Sequence, residues 1–173
     1  MMAMSLDGFV ARSDHTLDWL EKQATEGEDH GFEAFQESVD VIVMGSGSFR
    51  TVLGFGEWPY VKPVVVLSRS LASEDVPENL RDKVEITTLK PEALMKAFAE
   101  RGFQRVYIDG GAVIRSFMKA TLIADMKISI VPILIGEGIR IFDDSRGDTD
   151  LELVSIEKFP SGLIDLVYKV KTA

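Results

Sequence analysis

Cysteine is absent from the 173-residue chain, and histidine occurs only twice. Without cysteine there is no disulfide and no thiolate chemistry, and a cytoplasmic location is expected. The two histidines, His15 and His30, lie in polar segments without metal-ligand spacing. We therefore expect both at the surface and predict no metal site.

Positive charge and long apolar runs are also scarce. Lys and Arg number 19 against 28 Asp and Glu, which gives a formal net charge of −9. This balance disfavours nucleic acid or an anionic membrane as a partner. No apolar run approaches the roughly 20 residues that cross a bilayer, and no secretory leader is recognisable. An anionic ligand would need a local arginine or a helix N-terminus, so a small-molecule site is sought.

The middle of the chain alternates strand and helix patterns. Short β-branched runs at 41–44, 64–67 and 105–108 predict strands buried on both faces. Helices are predicted over 29–39, from Pro91 to a stop at Gly102, and after Gly111. No repeat or linker interrupts the chain, so one domain over residues 1–173 is predicted. The alternation indicates an α/β fold with a mostly parallel, mixed central sheet flanked by helices.

The last third has a different periodicity. Met126, Ile128 and Ile130 alternate with Lys127 and Ser129, which predicts a half-exposed strand. Two further apolar segments, 151–156 and 164–170, flank a Pro/Gly turn and predict a C-terminal antiparallel hairpin.

Two strand-to-helix turns carry glycine. The first, Gly45-Ser46-Gly47, resembles the start of a Rossmann fingerprint, but Arg50 occupies the third glycine position and no acid ends the next strand. The second turn is Gly110-Gly111. Glycine at a helix N-terminus lets backbone N–H groups approach a phosphate closely, and an arginine can clamp one. Two such turns with Arg69 at an intervening strand end favour a diphosphate ligand over a turn that merely tolerates glycine.

A family resemblance emerges from six motifs that run in order along the chain. They are Ala3-Met-Ser-Leu-Asp-Gly-Phe-Val-Ala11, Leu17-Asp-Trp19, Val43-Met-Gly45, Val65-Val-Leu-Ser-Arg69, Val106-Tyr-Ile-Asp-Gly-Gly111 and Ile130-Val-Pro-Ile-Leu-Ile-Gly-Glu-Gly-Ile-Arg-Ile-Phe142. The chain resembles the dihydrofolate-reductase-like superfamily, and more closely the RibD C-terminal family of riboflavin biosynthesis reductases with its small stand-alone relatives.

The resemblance implies an oxidoreductase with NADPH as hydride donor. The implied diphosphate contacts are Gly45, Ser46, Ser48, Phe49, Gly110, Gly111, Ala112, Val113 and Ile114. Ser68 and Arg69 would hold the 2′-phosphate, and Ala3 would lie beside the nicotinamide. Residues 7–19 would form a mobile loop over the active site.

The same resemblance implies a substrate pocket. Its residues would be Ser5, Asp7, Trp19, Val131, Pro132 and Gly136. Asp7 is the best side-chain candidate for the proton donor, although an Asp-Gly turn is also a common structural device and a bound water could deliver the proton. Trp19 fits either the pocket or the core, and Gly136 fits either a bend beside the pocket or a β-bulge.

Departures from the family pattern leave the substrate open. Ser46 stands where many relatives have arginine, and Met1 stands where the riboflavin enzymes have lysine. Glu26 and Glu28 do not match the pterin-binding acid of dihydrofolate reductases; the acidic run 26–29 is expected to cap the following helix and face solvent. The leading hypothesis is a reductase of a small heterocyclic, imine or carbonyl substrate. The alternatives are the 5-amino-6-(5-phosphoribosylamino)uracil reductase of riboflavin biosynthesis and a non-catalytic nucleotide-binding protein, and a homodimer is expected.

Overall fold

The computed structural model describes residues 1–23, 25, 27–142 and 147–171. The strands are β1 (Met2–Ser5), β2 (Phe9–Ala11), β3 (Val41–Gly45), β4 (Val64–Leu67), β5 (Val84–Thr87), β6 (Val106–Ile108), β7 (Asp125–Val131), β8 (Ile139–Arg140), β9 (Leu151–Lys158) and β10 (Ile164–Val170). The helices are α1 (Asp18–Glu21), α2 (Phe32–Glu37), α3 (Ser46–Leu53), α4 (Pro91–Glu100) and α5 (Gly111–Lys119). The chain forms two compact units: unit 1 combines Met1–His30 with the chain from Thr121 onward, and unit 2 is Gly31–Ala120.

Unit 2 is built on a parallel sheet with the strand order β5-β4-β3-β6. Val41, Ile42, Val43 and Met44 are completely buried, because β3 has a neighbour on each side and helices in the same unit. An unbroken β-branched run is typical of such a central strand. The strands predicted at 41–44, 64–67 and 105–108 are confirmed.

The helices of unit 2 follow their sequence signals, with one exception. As predicted, α4 begins at Pro91 and is followed by Gly102, and a helix, α5, follows the second glycine turn; α5 buries Phe117 completely. The helix predicted over 29–39 is shorter, Phe32–Glu37. Gly31 adopts a left-handed conformation at the start of the helix, and beyond the end of the helix the Asp40 N–H already donates to the Arg105 carbonyl (2.8 Å). The chain therefore leaves the helix early to enter β3.

Unit 1 contains a mixed sheet with the order β1-β7-β10-β9 and a separate β2-β8 ladder. β1 runs parallel to β7, while β10 is antiparallel to both β7 and β9, which confirms the C-terminal hairpin. The alternation predicted for β7 is wrong in part. Ser129 is buried. Lys127 is half-buried because it forms an ion pair with the buried Asp165 on the neighbouring strand β10.

The predicted α/β fold with parallel strands, an antiparallel hairpin and flanking helices is confirmed. The buried apolar side chains concentrate on β3 and β4 in unit 2, and on the face of the mixed sheet beneath Trp19 in unit 1. No helix in the described part of the chain combines the length and apolarity needed to cross a membrane.

Candidate functional site

The carboxyl ends of three neighbouring strands carry the predicted cofactor residues of unit 2. β3 ends at Gly45, β4 is followed by Ser68, and β6 is followed by Asp109 and Gly110. Because these strands are parallel, their carboxyl ends lie at one edge of the sheet, the usual place for a ligand in an α/β fold. The fold thus brings together predicted cofactor residues that lie up to 65 positions apart in the chain.

The two glycine turns pack against each other. A Cβ atom on Gly45 would come within 3.2 Å of the Val113 Cγ2 atom, at the start of α5. A Cβ atom on Gly110 would collide with the Ser48 hydroxyl, in the first turn of α3. Gly45 thus leaves room for the Val113 side chain, and Gly110 leaves room for the Ser48 hydroxyl. The N-termini of α3 and α5 therefore lie side by side.

Backbone N–H groups are the ligand-binding groups that these turns offer. The Ile114 N–H donates to the Gly110 carbonyl (2.9 Å), so it is already used within α5. The N–H groups of the three preceding residues have no acceptor within the helix. The side chains of Phe49, Val113 and Ile114 are buried. Their predicted contact with a cofactor is therefore limited to the backbone.

Ser68 and Arg69 have different surroundings. The buried Ser68 Oγ accepts the backbone N–H groups of Ser70 and Leu71, both at 3.1 Å, and so shapes the turn after β4. Arg69 is exposed, and its guanidinium forms no ion pair with the residues that the structure describes. An exposed guanidinium beside a hydrogen-bonded turn fits recognition of a phosphate.

Asp109 belongs to this edge of the sheet but was not selected from the sequence. Its Oδ1 accepts the Tyr107 hydroxyl at 2.8 Å, and Ser48 and the Gly110 N–H also bond its carboxylate. Burial raises the pKa of Asp109, against the lowering effect of these hydrogen bonds. Burial also raises the pKa of Tyr107. The sequence signal for Asp109 was its position directly before Gly110-Gly111, because a residue there links the end of β6 to both glycine turns.

Asp7, the predicted proton donor, lies in unit 1 within a dense set of hydrogen bonds. Its carboxylate accepts the Ser5 hydroxyl (2.6 Å) and the backbone N–H groups of Ile135 (3.2 Å) and Gly136 (2.8 Å). The Ser5 hydrogen bond lowers the pKa of Asp7, with further lowering from the Gly136 and Ile135 N–H groups. The carboxylate thus joins the turn after β1 to the segment after β7. This arrangement suits a residue that positions the backbone better than one that donates a proton.

The other predicted substrate residues of unit 1 fall into two groups. Ser5 and Val131 are completely buried, and Trp19 is 1% exposed in a cluster with Val131, Phe159 and Leu163, against which Ala3 also packs. Pro132 and Gly136 are exposed. Trp19 is therefore a core residue, while its indole Nε1 has no hydrogen-bond partner among the described residues.

One expectation for the segment before α2 is wrong, and another holds only in part. Glu28 does not face solvent: its side chain is only 9% exposed, and its Oε1 accepts the Ser161 N–H at 2.8 Å. The His30 side chain is 31% exposed, and its ring packs edge-to-face on Phe159 with centroids 4.6 Å apart. His15 is exposed as predicted. Glu26 lies outside the described residues.

Comparisons with known proteins identify the family of this chain. The family model for the RibD C-terminal domain matches residues 1–164. The protein YwjB of Bacillus subtilis (strain 168) is 30% identical over 165 residues, covering 91% of this chain and 89% of its own length. A crystal structure from Shewanella sp. PV-4, described as a riboflavin biosynthesis protein, is 36% identical with a TM-score of 0.91, covering 99% of this chain and 97% of that one.

A more distant likeness concerns the fold alone. The Thermotoga maritima diaminohydroxyphosphoribosylaminopyrimidine deaminase/5-amino-6-(5-phosphoribosylamino)uracil reductase is 16% identical with a TM-score of 0.73, and the match covers 98% of this chain but 55% of that protein. The family-model match over most of the chain, supported by relatives at 30% and 36% identity, is decisive. This chain belongs to the RibD C-terminal domain family of riboflavin-biosynthesis-type reductases.

Proposed function

We propose that the protein is an NADPH-dependent reductase of a small heterocyclic, imine or carbonyl substrate. The observation that carries the proposal is the pair of interlocked glycine turns in unit 2. Their close packing leaves the N-termini of α3 and α5 adjacent, with backbone N–H groups available for a diphosphate. When bound, NADPH supplies the hydride, and the protein supplies orientation and electrostatics.

The preference for NADPH over NADH rests on Arg69. In a chain of net charge −9, a phosphate needs a local positive group. Arg69 is exposed directly after β4, at the same edge of the sheet as the two glycine turns and next to β3, which carries the first of them. A guanidinium can bind a phosphate through two parallel hydrogen bonds. Ser68 contributes by holding the turn rather than through a free hydroxyl.

The substrate side is assigned to unit 1, around Asp7 and the core cluster of Trp19. Asp7 fixes the Ile135–Gly136 backbone, and its lowered pKa keeps it ionised at neutral pH. We therefore assign Asp7 a positioning role. Water then supplies the proton that the reduced bond takes up. Loss of turnover in Asp7→Asn, with folding and NADPH binding intact, would instead favour the donor role predicted from the sequence.

The riboflavin-pathway reductase is the second candidate. A relative supports it: the RibD protein of Corynebacterium ammoniagenes is 29% identical over 151 residues, a match that covers 80% of this chain and 44% of that protein. Met1, at the position of the lysine in the riboflavin enzymes, weighs against it. Reduction of 5-amino-6-(5-phosphoribosylamino)uracil by the purified protein would decide in its favour.

The proposal is tested by cofactor binding and oxidation. Calorimetric titration should give a lower dissociation constant for NADPH than for NADH. NADPH absorbance should then fall with at least one substrate from a panel of pterins, imines and quinones. Absence of binding by both cofactors would exclude the reductase. Binding without oxidation across the panel and the riboflavin precursor would favour the non-catalytic nucleotide-binding alternative.

A further inference from the structure

Asp109 is anchored on the sheet of unit 2, where β6 ends and the second glycine turn begins. Its backbone N–H donates to the Val43 carbonyl of β3 at 2.8 Å, which ties the end of β6 to the neighbouring parallel strand. Its Oδ1 accepts the hydroxyl of Tyr107, a buried residue of β6, at 2.8 Å. The carboxylate is therefore held by the sheet, and it can still accept hydrogen bonds from groups beyond the sheet edge.

The two glycine turns each supply one of these further hydrogen bonds. They come from the Ser48 side chain, in the first turn of α3, and from the Gly110 N–H, at the start of α5. Burial raises the pKa of Asp109, whereas the bonds from Tyr107, Ser48 and Gly110 lower it. A hydrogen bond that lowers the pKa of a carboxyl group is donated to its ionised form. Ser48 and Gly110 are therefore donors, and one carboxylate joins both turns.

Each of these donors adjoins backbone N–H groups that have no acceptor within their helix. These N–H groups belong to residues 46–48 in α3 and to residues 111–113 in α5. The two segments are already as close as their atoms permit, since a Cβ atom on Gly110 would collide with the Ser48 Oγ. Movement of either donor away from Asp109 would therefore displace the N–H groups of one helix relative to those of the other.

The Ser48 hydroxyl has no proton left for a phosphate oxygen, because a hydroxyl donates only one hydrogen bond and Asp109 accepts it. Direct contact between Asp109 and a diphosphate is also unfavourable, since an ionised carboxylate and a diphosphate repel each other. Both side chains are thus suited to holding the turns in place, while the backbone N–H groups are left for the ligand.

We propose that Asp109 is a positioning residue of the cofactor site, which aligns the N-termini of α3 and α5 on one diphosphate, and that the Ser48 hydroxyl acts through it. The proposal deepens the reductase function and rests on it for the identity of the ligand. It concerns the diphosphate, which NADPH and NADH share, whereas Arg69 is assigned to the 2′-phosphate of NADPH alone.

The test compares Asp109→Asn with the wild type in calorimetric titrations of NADPH and NADH into the full chain. Asparagine replaces one acceptor oxygen with a donor NH2 group, so at least one of the three donors loses its acceptor. Groups that orient the ligands of a metal contribute about 10- to 100-fold to its affinity. By the same reasoning, both dissociation constants should rise by one common factor of at least about ten. A rise for NADPH alone would overturn the assignment to the diphosphate.

Asp40→Asn is the matched control. The Asp40 Oδ2 accepts the N–H groups of Gln104 (2.8 Å) and Arg105 (2.9 Å), so this carboxylate also fixes β6 within unit 2, but at its other end. Asp40→Asn should leave both dissociation constants unchanged, and thermal denaturation checks that both variants are folded. Equal weakening of cofactor binding in the two variants would mean that Asp109 only stabilises the fold.

Ser48→Ala tests whether the two residues act as one unit. The double variant Ser48→Ala/Asp109→Asn should bind NADPH about as weakly as the weaker single variant, whereas losses that multiply would overturn the role of Ser48. Where Asp109→Asn does not fold, Ser48→Ala alone decides, because unchanged binding of both cofactors in that variant would overturn the proposal. Unchanged binding in a folded Asp109→Asn would overturn only the positioning role. Failure of the wild type to bind either cofactor would overturn the reductase function and the positioning role with it.

Discussion

Gly110 faces the hydroxyl of Ser48 so closely that a Cβ atom at position 110 would collide with it. Gly110 also has a φ of +84°, a conformation that glycine adopts far more readily than other residues. Two constraints, one steric and one conformational, therefore meet where the two glycine turns touch. We therefore expect diphosphate binding to depend on this contact.

Gly110→Ala should destabilise the protein and weaken NADPH binding. Gly110 has φ +84° and ψ +132°, a backbone conformation outside the left-handed helical region that costs about 1–3 kcal/mol for alanine, and the Ser48 collision adds to that. Gly102→Ala is the control for a positive φ, since Gly102 has a φ of +82° but open space around its Cβ position. Chemical denaturation should show a larger loss of unfolding free energy for Gly110→Ala. Equal losses in the two variants would mean that the Ser48 contact is unimportant.

Arg69→Ala should weaken NADPH binding while leaving NADH binding nearly unchanged. Hydrogen bonds to a charged group contribute about 1.5–3 kcal/mol, which corresponds to a loss of roughly 10- to 150-fold in NADPH affinity. Arg81→Ala, at another exposed arginine of unit 2, serves as the control. Fluorescence titration of both cofactors measures the ratio. Parallel weakening of NADPH and NADH would assign Arg69 to a part of the cofactor that both share.

Asp109→Asn should change the pH dependence of stability. The pKa of Asp109 is raised above 3.8 in the folded protein, so the stability it contributes in the protonated form is present below about pH 4 and is lost as pH rises through the folded-state pKa. Asparagine cannot ionise. The melting temperature of Asp109→Asn should therefore rise relative to that of the wild type as the pH increases from acidic to neutral. A constant difference across that range would contradict the raised pKa.

Asp7→Asn should show the opposite trend. The pKa of Asp7 is lowered below 3.8, so its contribution to stability is present above about pH 4 and is lost as pH falls through the folded-state pKa. The variant should melt below the wild type at neutral pH, and the gap should narrow in acid. Asp14→Asn is the comparison, since Asp14 accepts its hydrogen bonds from the N–H and hydroxyl of the nearby Thr16, within one turn. A larger change in melting temperature for Asp14→Asn than for Asp7→Asn would contradict the bridging role of Asp7.

The exposed strand β9 is the expected dimer surface. It lies at the edge of the mixed sheet, and Leu153, Val154 and Ile156 are 48%, 52% and 60% exposed. An exposed apolar edge strand is prone to pair with another chain. Light scattering should report a dimer for the wild type and a monomer for Ile156→Lys, with Glu152→Lys on the same strand as the charge control. A monomeric wild type would refute the dimer.

Local sequence patterns determined the strands and the turns of this protein. The β-branched run over residues 41–44 and the Pro91 and Gly102 signals were reliable, because burial on both faces and backbone conformation restrict the residue types directly. The glycines at 45 and 110 likewise marked the two helix starts. The family motifs added the fold and the reductase class.

The tertiary structure alone decided how polar side chains are used. Glu28 looked like part of a solvated acidic run, yet it bonds Ser161, more than a hundred residues away. Asp7 looked like a proton donor, yet its carboxylate is held by the backbone of Ile135 and Gly136. Asp109 looked like a strand end, yet it is bonded from both glycine turns. Burial, pKa and hydrogen-bond partners depend on groups brought together from distant parts of the chain, which no local pattern contains.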